Sequence, residues 1–352
     1  MSSFQRSGGS KVPYIAGTKP SIRTNQLLAS TGIAELDILI GGGQPLGSIL
    51  LVEQSEPDLY GSYLERYFLS QGVLSSHKLL YANPNPLARD IWNSLPSPLT
   101  DGKEVEPKAD SDKMKIAWRY ENLPQIDSRI GAAKSSLASV FDLATKMDSA
   151  VVAEVKPVLL TEDLSYSNLL VDAVKPVLGD EQYCHDDSPF ALRSEPSETP
   201  KQKNAIRLVL SNFSSPLWGD PAEQIKSLNL LQLMLRESYG ICLITVSIEL
   251  LTDCCLERLR HLCDCVIRLE AFEGTEKEKN PALCEFHGQL HIVKLPVINS
   301  LAPPIPECLD LGFKLKRKRF VIEKIHLQPE FVEPEADSSC AVGPAKREAE
   351  LF

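Results

Sequence analysis

The chain has 352 residues, of which 43% are hydrophobic and 24% charged, and its 37 lysines and arginines against 47 aspartates and glutamates give a net charge of −10. At about 150 residues per domain, this length favours two globular domains or one α/β domain with insertions. The net acidity argues against a freestanding nucleic-acid-binding domain, because such domains usually carry a basic surface.

Two further features indicate an intracellular protein. Residues 1–10 lack the apolar core of a secretory signal, and no run approaches the roughly 20 apolar residues of a membrane span. The nine cysteines are odd in number and unevenly spaced, which favours reduced thiols over a disulfide framework. We expect a soluble protein with no membrane partner, in the cytoplasm and with the nucleus as the open alternative.

The first half of the chain predicts a βαβ unit. Ser30 or Thr31 is expected to cap a short helix that ends at the glycines 41–43, since glycine accepts left-handed backbone angles. A buried strand over 48–53 is followed by a turn-rich loop, a helix ending near Gly72 and a second strand. Strand, loop, helix and strand in this order are typical of a parallel sheet.

The later elements extend this α/β pattern. A helix capped by Asp220 and Pro221 is expected between two buried strands, because aspartate before proline is a helix-start signal. The last quarter alternates between apolar and polar residues, which predicts antiparallel strands. We predict strands over 78–82, 114–118, 205–211, 240–246, 266–269, 289–295 and within 313–325, and helices around 135–147 and 166–174.

The loop after the first buried strand departs from the phosphate-binding pattern G-x-x-x-x-G-K-[ST]. With Gly61 as the second glycine, Glu56 stands at the first, Ser62 replaces the lysine and Tyr63 replaces the hydroxyl residue that holds Mg²⁺. A carboxylate beside a triphosphate is repulsive. The strand that should end in a metal-binding aspartate ends instead in Ser211. We therefore predict a degenerate phosphate loop and a degenerate Mg²⁺ site, without autonomous ATP hydrolysis and without catalytic residues.

Cysteines and histidines near the C-terminal strands do not predict a metal site. His261 lies among Cys254, Cys255, Cys263 and Cys265, but zinc sites favour pairs spaced C-x₂₋₄-C on turns. Cysteine at the start of an apolar strand is commonly a small buried hydrophobe. His287 and His291 share a strand face without an acidic or cysteine partner in a ligand pattern.

One dense basic segment stands out, and it has two interpretations. Cations at Lys314, Lys316, Arg317, Lys318 and Arg319 can displace counterions around RNA phosphates. The alternative, which we favour, is a charged edge strand that blocks aggregation, or an interface with an acidic neighbouring subunit.

The segment from Ser30 to Gly47, STGIAELDILIGGGQPLG, resembles the opening segment of RecA-like ATPases. Together with residues 16–21 and 25–28, it resembles the family of the fourth subunit of the Elongator complex. Further matching blocks are KMKIAWRY at 113–120, SSPLWGD at 214–220, HG at 287–288, HI at 291–292, FKLKRKRF at 313–320 and IEKIHL at 322–327.

The resemblance implies an α/β, RecA-like fold: a mostly parallel sheet flanked by helices, with C-terminal antiparallel strands. It implies a hetero-hexameric ring with Elongator subunits five and six, an accessory to the catalytic subcomplex that modifies tRNA wobble uridines at carbon 5. The radical chemistry belongs to the third subunit, the ring binds tRNA, and ATP acts at ring interfaces rather than as a cofactor of this chain alone. By position, the loops after the strands at 205–211 and 241–246 are candidates for tRNA contact, and Arg258 and Arg260 follow the second of these loops. A self-sufficient ATPase and a scaffold without tRNA contact are the alternatives.

These expectations define the domain organisation. We predict a disordered arm over 1–20, a single RecA-like domain over 21–328 and an acidic tail over 329–352. Within the domain we place a polar insertion at about 97–112 and a disordered linker at about 180–204. Residues 180–200 hold six acidic and one basic residue, and the tail holds six acidic and two basic, so the folded body is close to neutral.

Overall fold

The computed structural model describes residues 13–55, 59–99, 137–160, 167–191, 202–280 and 283–326. The strands in chain order are β1 (Thr18–Pro20), β2 (Leu27–Ala29), β3 (Gln44–Pro45), β4 (Ile49–Gln54), β5 (Lys78–Ala82), β6 (Pro96–Pro98), β7 (Phe141–Lys146), β8 (Val158–Leu160), β9 (Ile206–Leu210), β10 (Gly240–Ser247), β11 (Cys265–Ala271), β12 (Gly288–Lys294), β13 (Leu311–Leu315) and β14 (Phe320–Lys324). The helices are α1 (Ala34–Leu39), α2 (Gly61–Leu74), α3 (Ser149–Glu154), α4 (Ser167–Leu178), α5 (Pro221–Arg236) and α6 (Asp253–Leu262).

The main sheet has nine described strands in the order β14-β13-β12-β11-β4-β10-β9-β5-β8. Strands from β11 to β8 in this order pair in parallel, and β12, β13 and β14 extend the sheet antiparallel at one end. The mostly parallel sheet with helices and C-terminal antiparallel strands confirms the predicted fold class. Two small sheets join β1-β2-β3 and β6-β7.

Both faces of the sheet are covered, which explains the continuous apolar run of β4. Successive side chains of a strand point to opposite faces. Leu50 and Val52 pack with Leu64 and Phe68 of α2 on one face, and Ile49 and Leu51 pack with α5 and α6 side chains on the other. Asp220 caps α5 as predicted, since its carboxylate accepts a hydrogen bond from the backbone N–H of Ala222.

The prediction that Ser30 or Thr31 caps α1 is wrong. The residue before the helix, Ile33, makes no side-chain cap. Instead the Asp37 carboxylate, inside the helix, accepts hydrogen bonds from the hydroxyls of Ser30 and Thr31. The glycine between this hydroxyl pair and the helix, Gly32, has φ +94°, and a Cβ there would lie 2.4 Å from the Tyr67 carbonyl oxygen. Gly32 therefore lies so close to the backbone of α2 that a side chain at this position would clash with it.

The helix predicted around 135–147 is also wrong, because the described part forms the strand β7. β7 pairs antiparallel with β6. The backbone N–H of Leu143 donates to the Lys318 carbonyl at 2.8 Å, and Phe141 is buried against the ring of Tyr67. Long-range partners for the backbone outweigh local helix preference here.

Parts of the predicted arm and linker belong to the folded body. β1 lies within the predicted arm, and β6 lies at the start of the predicted insertion. Within 180–204, the backbone of Cys184 bridges Ser238, and the Lys203 ammonium donates to the Glu181 and Cys184 carbonyls at 3.0 Å each. The rest of the arm, insertion and linker, the strand predicted at 114–118 and the tail lie outside the described residues.

Across the ranges that the structure describes, no helix has the length and apolar character that crossing a bilayer requires.

Candidate functional site at the carboxyl edge of the sheet

The predicted phosphate loop leads into α2, whose first residue is Gly61. The backbone N–H of Gly61 donates to the side-chain Oε1 of Gln54 at 2.7 Å, and a Cβ at Gly61 would lie 2.6 Å from the same amide group. The Ser62 hydroxyl donates to the Leu59 carbonyl at 2.8 Å. Glu56 lies outside the described residues. Because Gln54 engages the N–H of Gly61, this end of α2 offers one less donor to an anion.

Tyr63 and Tyr60, on either side of Gly61 and Ser62, face different neighbours. The Tyr63 ring lies 5.3 Å from the guanidinium carbon of Arg66. The Tyr60 ring packs edge-on against Phe313 of β13, with ring centroids 4.8 Å apart. The tyrosine at the expected Mg²⁺-binding position thus takes part in a cation–π contact on α2 itself.

A buried carboxylate, that of Glu65, lies next to this loop and accepts hydrogen bonds from surrounding hydroxyl groups. Thr245 at the end of β10 donates to its Oε1 at 2.7 Å, and Tyr81 of β5 donates to its Oε2 at 3.3 Å. Ser211, after β9, adds a third hydroxyl. Burial raises the pKa of Glu65, although these hydrogen bonds act in the opposite direction.

This network occupies the position of the predicted degenerate Mg²⁺ site. Ser211 is buried, and its hydroxyl lies against Glu65 rather than against open space. Thr245 Oγ1 also accepts a hydrogen bond from the backbone N–H of Asn212 at 2.8 Å. A hydroxyl group has one proton, and that of Thr245 is donated to Glu65. A carboxylate that is 2% exposed, with its donors supplied by three strands, has no free face for a metal ion or substrate.

The network around Glu65 was not predicted from the sequence. Its signal was a charged residue between Leu64 and Phe68, within the apolar stripe that covers the sheet. A buried acid in such a stripe needs partners, and only the fold identifies them as the ends of β5, β9 and β10.

Arg260, a predicted RNA or subunit contact, is engaged inside the molecule. Its Nε lies 2.5 Å and its Nη2 2.9 Å from the two carboxylate oxygens of fully buried Glu53 on β4. Arg268 of β11 donates to the same carboxylate at 2.9 Å, and Glu257 adds a further ion pair to Arg260. The structure corrects the prediction for Arg260, because an arginine that is paired with a buried carboxylate is not available to RNA.

Arg258 has a different position. It is exposed on α6, where it lines a groove of about 720 Å³ between α5 and α6 together with Lys226 and His261. This groove lies on the sheet face opposite α2. The structure therefore does not bring Arg258 together with the loop before α2.

The dense basic segment divides into a buried lysine and an exposed turn. Lys314 is 8% exposed and pairs with Glu285 at 2.9 Å and Glu323 at 2.8 Å, so its charge is neutralised within the chain. Residues 316–319, which we call the basic turn, form the tip of the β13–β14 hairpin, and all four cations are exposed. β14 is one of the two edge strands of the described sheet, but Lys314 lies on its inner neighbour β13 and the other four cations lie in the turn, so the charged-edge interpretation stays a prediction.

The basic turn is held from several directions. Lys316 and Arg319 exchange backbone hydrogen bonds of 2.8 and 3.2 Å, and β7 donates to the Lys318 carbonyl. The Tyr67 hydroxyl of α2 accepts from the N–H of Phe320 at 3.0 Å. Carboxylates lie 3.4 Å from Lys316 Nζ and 3.8 Å from Lys318 Nζ. The turn is thus a fixed cationic projection.

The basic turn and the loop before α2 lie at the same edge of the sheet. β12 is antiparallel to β11, and β13 is antiparallel to β12, so β13 runs in the direction of the parallel strands. Its carboxyl end, which leads into the turn, therefore lies beside the carboxyl ends of β4 and β11. This is the edge where open α/β sheets bind ligands.

Among the described residues, no three His, Cys, Asp or Glu side chains come together in a group that could hold a metal ion. Burial raises the pKa of the Cys265 thiol to about 12, and Cys263 is shifted in the same direction. Buried cysteines of this kind are protonated hydrophobes rather than metal ligands.

Comparison with known proteins decides the family. The family model described as PAXNEB protein matches residues 11–350, which is nearly the whole chain. The chain belongs to the PAXNEB family. The PAXNEB relatives include Elongator complex protein 4 of Xenopus laevis and of Homo sapiens, each 34% identical over 96% of this chain and 88% of the relative, and that of Dictyostelium discoideum, 30% identical over 89% and 77%. The resemblance to the Elongator subunit four family is confirmed.

A solved structure also resembles this PAXNEB chain. The crystal structure of a KaiC-like protein from the archaeon Pyrococcus horikoshii covers 84% of this chain and 99% of its own, with a TM-score of 0.46 and 14% sequence identity.

The segment from Ser30 to Gly47, which carried the family resemblance in the sequence, is held in place by buried Arg207 of β9. The Arg207 guanidinium donates to the carbonyls of Ser30 at 2.8 Å and Phe68 at 3.2 Å, and its Nε donates to His77 Nδ1 at 3.0 Å. The opposite ring nitrogen of His77 donates to the Ala16 carbonyl at 2.7 Å. One side chain of the sheet thus ties the N-terminal segment to α2.

The ionisation states in this region follow from burial. Burial and the neighbouring Arg207 lower the pKa of His77 to about 3, so the ring is neutral, as its two hydrogen bonds require. Burial lowers the pKa of Arg207 to about 9, and it raises the pKa of Asp37 to about 6. At pH 7 the region therefore holds one cation and one carboxylate.

Proposed function

We propose that this chain is a non-catalytic subunit of the Elongator complex. In this proposal it forms a RecA-like hetero-hexameric ring with subunits five and six, binds tRNA and supports carbon-5 modification of wobble uridines by the catalytic subcomplex. In this proposal the protein acts in the cytoplasm, with the nucleus as the alternative site. The names of its relatives support the complex, and the closed carboxyl edge of the sheet supports the accessory role.

The closed carboxyl edge is the observation that carries the non-catalytic role. ATP hydrolysis needs free backbone donors for the phosphates and a residue that orients Mg²⁺. Here Gln54 engages the N–H of Gly61, Ser62 stands at the lysine position, and Ser211 is directed at Glu65. ATP at the ring would be bound across subunit interfaces rather than by this loop alone.

The basic turn supports a tRNA contact. Its four exposed cations project from the same edge of the sheet and carry few carboxylate partners of their own. Cations that approach RNA phosphates release condensed counterions, which makes such contacts favourable and salt-dependent. Lys314 is paired with Glu323, and Arg260 is paired with Glu53. The turn is therefore the stronger candidate for a tRNA contact within the described residues.

The main experiment compares the isolated chain with the chain co-expressed with subunits five and six. ATPase turnover and tRNA affinity are measured over a series of salt concentrations. We expect no turnover from the isolated chain and a tRNA affinity of the ring that falls as salt rises. Robust turnover by the isolated chain would favour a self-sufficient ATPase, and a ring without salt-dependent tRNA binding would favour a pure scaffold.

Charge reversal tests the basic turn within that ring. The variant Arg317→Glu/Lys318→Glu should weaken tRNA binding and reduce the slope of log affinity against log salt by about 1 to 2, because each phosphate contact contributes about 0.7–0.9. The matched control is Lys175→Glu/Lys226→Glu, which reverses two exposed lysines on α4 and α5 at the opposite sheet face. Equal slopes for the two variants would assign the turn to edge protection instead.

A further inference from the structure

The basic turn carries more positive charge than the described part of the chain neutralises. All four cations of residues 316–319 are exposed. Lys316 lies 3.4 Å from the Glu323 carboxylate, which also pairs with Lys314 at 2.8 Å. The Lys318 ammonium lies 3.8 Å from its carboxylate partner, and within the described residues the two arginines of the turn form no ion pair. Because adjacent like charges repel one another, an anionic partner would stabilise the turn.

The chain itself supplies an anion a short distance along the sequence. Residues 330–337, which we call the acidic segment, contain no basic residue and four acidic ones, Glu330, Glu333, Glu335 and Asp337. They lie beyond the described residues, which end at His326. The other two glutamates of the acidic tail follow Lys346 and Arg347 directly. The uncompensated negative charge of the tail is therefore concentrated in the acidic segment.

The course of β14 decides which of these carboxylates can reach the turn. β14 runs from the turn toward the start of β13, so its end lies at the far end of the hairpin. The chain from Arg319 to His326 spans about 23 Å at about 3.3 Å per residue. An extended chain advances at most about 3.6 Å per residue, so a return over this distance takes about seven residues. Glu333 is thus the first carboxylate that can reach the turn, whereas Glu330 lies too close to the strand end.

The two remaining carboxylates of the acidic segment reach the turn with chain to spare. From His326, the extended chain spans about 30 Å to Glu335 and about 36 Å to Asp337. A single exposed ion pair is weak. A short tether raises the effective concentration of the carboxylates into the millimolar range, so that several weak pairs together can hold the contact.

We propose that Glu333, Glu335 and Asp337 pair with the basic turn and compete with RNA phosphates for its cations. This inference rests on the proposed function, in which the turn contacts tRNA. RNA can displace the three carboxylates because it offers more negative charges and releases condensed counterions on binding. The tail therefore weakens the binding of RNA that makes few other contacts with the ring.

The test measures tRNA affinity of the ring formed by the full chain with subunits five and six. The variant Glu333→Gln/Glu335→Gln/Asp337→Asn should bind tRNA about three- to tenfold more tightly at low salt, because the turn is no longer occupied. This gain should disappear as salt rises, since exposed ion pairs are screened.

The matched control removes the same number of charges from the same tail. Glu330→Gln/Glu348→Gln/Glu350→Gln should leave the affinity unchanged within about twofold, because Glu330 cannot reach the turn and the other two glutamates lie beside cations. Equal gains from the two triple variants would overturn the proposal, since they would show an effect of net charge alone.

A second arm asks whether the three carboxylates act through the turn. In the background Arg317→Glu/Lys318→Glu, their neutralisation should no longer raise tRNA affinity, because two interacting sites are not additive. The same gain in both backgrounds would show that the acidic segment acts elsewhere, and the proposal would be wrong.

Carbodiimide cross-linking of the full chain separates the tail contact from the proposed function, because it needs no RNA. The reagent joins a lysine amine to a carboxylate in direct contact. Without RNA, Lys316 and Lys318 should be joined to the three carboxylates and not to Glu330, and added tRNA should suppress these products. Absence of the cross-links would overturn the tail contact. A ring that forms them but does not bind tRNA would instead overturn the proposed function, and with it the competition.

Discussion

Two buried polar networks lie between α2 and the sheet, one at each edge, and they differ in charge. At the amino edge, Arg207 and Asp37 supply opposite charges, and His77 is a neutral member. At the carboxyl edge, the carboxyl group of Glu65 is met only by the hydroxyls of Thr245, Tyr81 and Ser211. No cation donates directly to Glu65 in the described contacts.

This difference indicates that the Arg207 network holds the fold together, whereas the Glu65 network closes the candidate site. The Arg207 network joins segments that are far apart in sequence, and removal of its cation would leave buried acceptors without a donor. The Glu65 network fills the space at the ends of three strands, where a related enzyme would need room for phosphate and metal. The first network should therefore dominate stability, and the second is the one on which the proposed non-catalytic role depends.

The largest expected effect is that of Arg207→Met. The change removes the only guanidinium of the amino-edge network in the described residues and leaves Asp37 as a buried, uncompensated acid. We expect a loss of about 3–5 kcal/mol in the free energy of unfolding, measured with urea. Arg258→Met, at an exposed position, should change it by no more than about 0.5 kcal/mol. Similar losses in both variants would remove the distinction between the networks.

His77→Gln should change how stability depends on pH. Because burial lowers the folded-state pKa of His77 to about 3, the unfolded state binds a proton below about pH 6.5 that the folded state does not. Stability from this residue is complete above that pH and is lost as pH falls. The stability difference between the native chain and the variant should thus shrink by about 3 kcal/mol from pH 6.5 to pH 4, by urea unfolding at each pH.

The control for this pH effect is built into the comparison. The pKa of Asp37, raised to about 6, acts in the opposite sense, since its stabilising protonation is lost as pH rises from about 4 through 6. Both proteins contain Asp37, so its contribution cancels in the difference. A difference that does not vary with pH would show that His77 is not held neutral by Arg207 and Ala16.

Thr245→Val tests the carboxyl-edge network. The substitution keeps the shape of the side chain and removes one donor to Glu65 and one acceptor for Asn212. We expect a loss of about 2 kcal/mol, because a buried carboxylate is left short of a hydrogen bond. Thr252→Val is the matched control, since Thr252 is exposed and makes no side-chain cap on α6, and it should change the unfolding free energy by about 0.5 kcal/mol at most.

The smallest effect is expected for Ser62→Lys, which supplies the missing lysine of the phosphate-binding pattern. The partly exposed position predicts a stability change within about 0.5 kcal/mol. No ATPase activity should appear, because Glu56, Tyr63 and Ser211 still depart from the pattern and the Glu65 network still closes the edge. Clear turnover would show that the phosphate loop has been placed at the wrong residues.

The elements with strong local signals were predictable from the sequence. The apolar runs that became β4, β9 and β10, and the Asp220–Pro221 start of α5, follow from patterns that hold within a few residues. The prediction failed at β7, where a helix was expected. Its backbone partners lie on β6 and at Lys318, which are distant in sequence and give no local signal.

The candidate site shows the same limit. Ser62, Tyr63 and Ser211 were recognised because each departs from a known pattern. Glu65 and Gln54 were missed, since their roles depend on which strand ends face them. The basic segment was found as a unit, but only its packing separates paired Lys314 from the exposed turn.

The sequence by itself determined the order of the core elements, the family resemblance and the absence of the phosphate-binding lysine. These properties depend on residue identity and short-range periodicity, which a linear chain displays directly. The tertiary structure alone decided which charged side chains are paired inside the molecule and which remain exposed to solvent. Arg207, Arg260 and Lys314 look like any other cations in the sequence, yet burial beside carbonyls or carboxylates holds each of them within the chain. The four cations of the basic turn stay exposed because no described part of the chain packs over them.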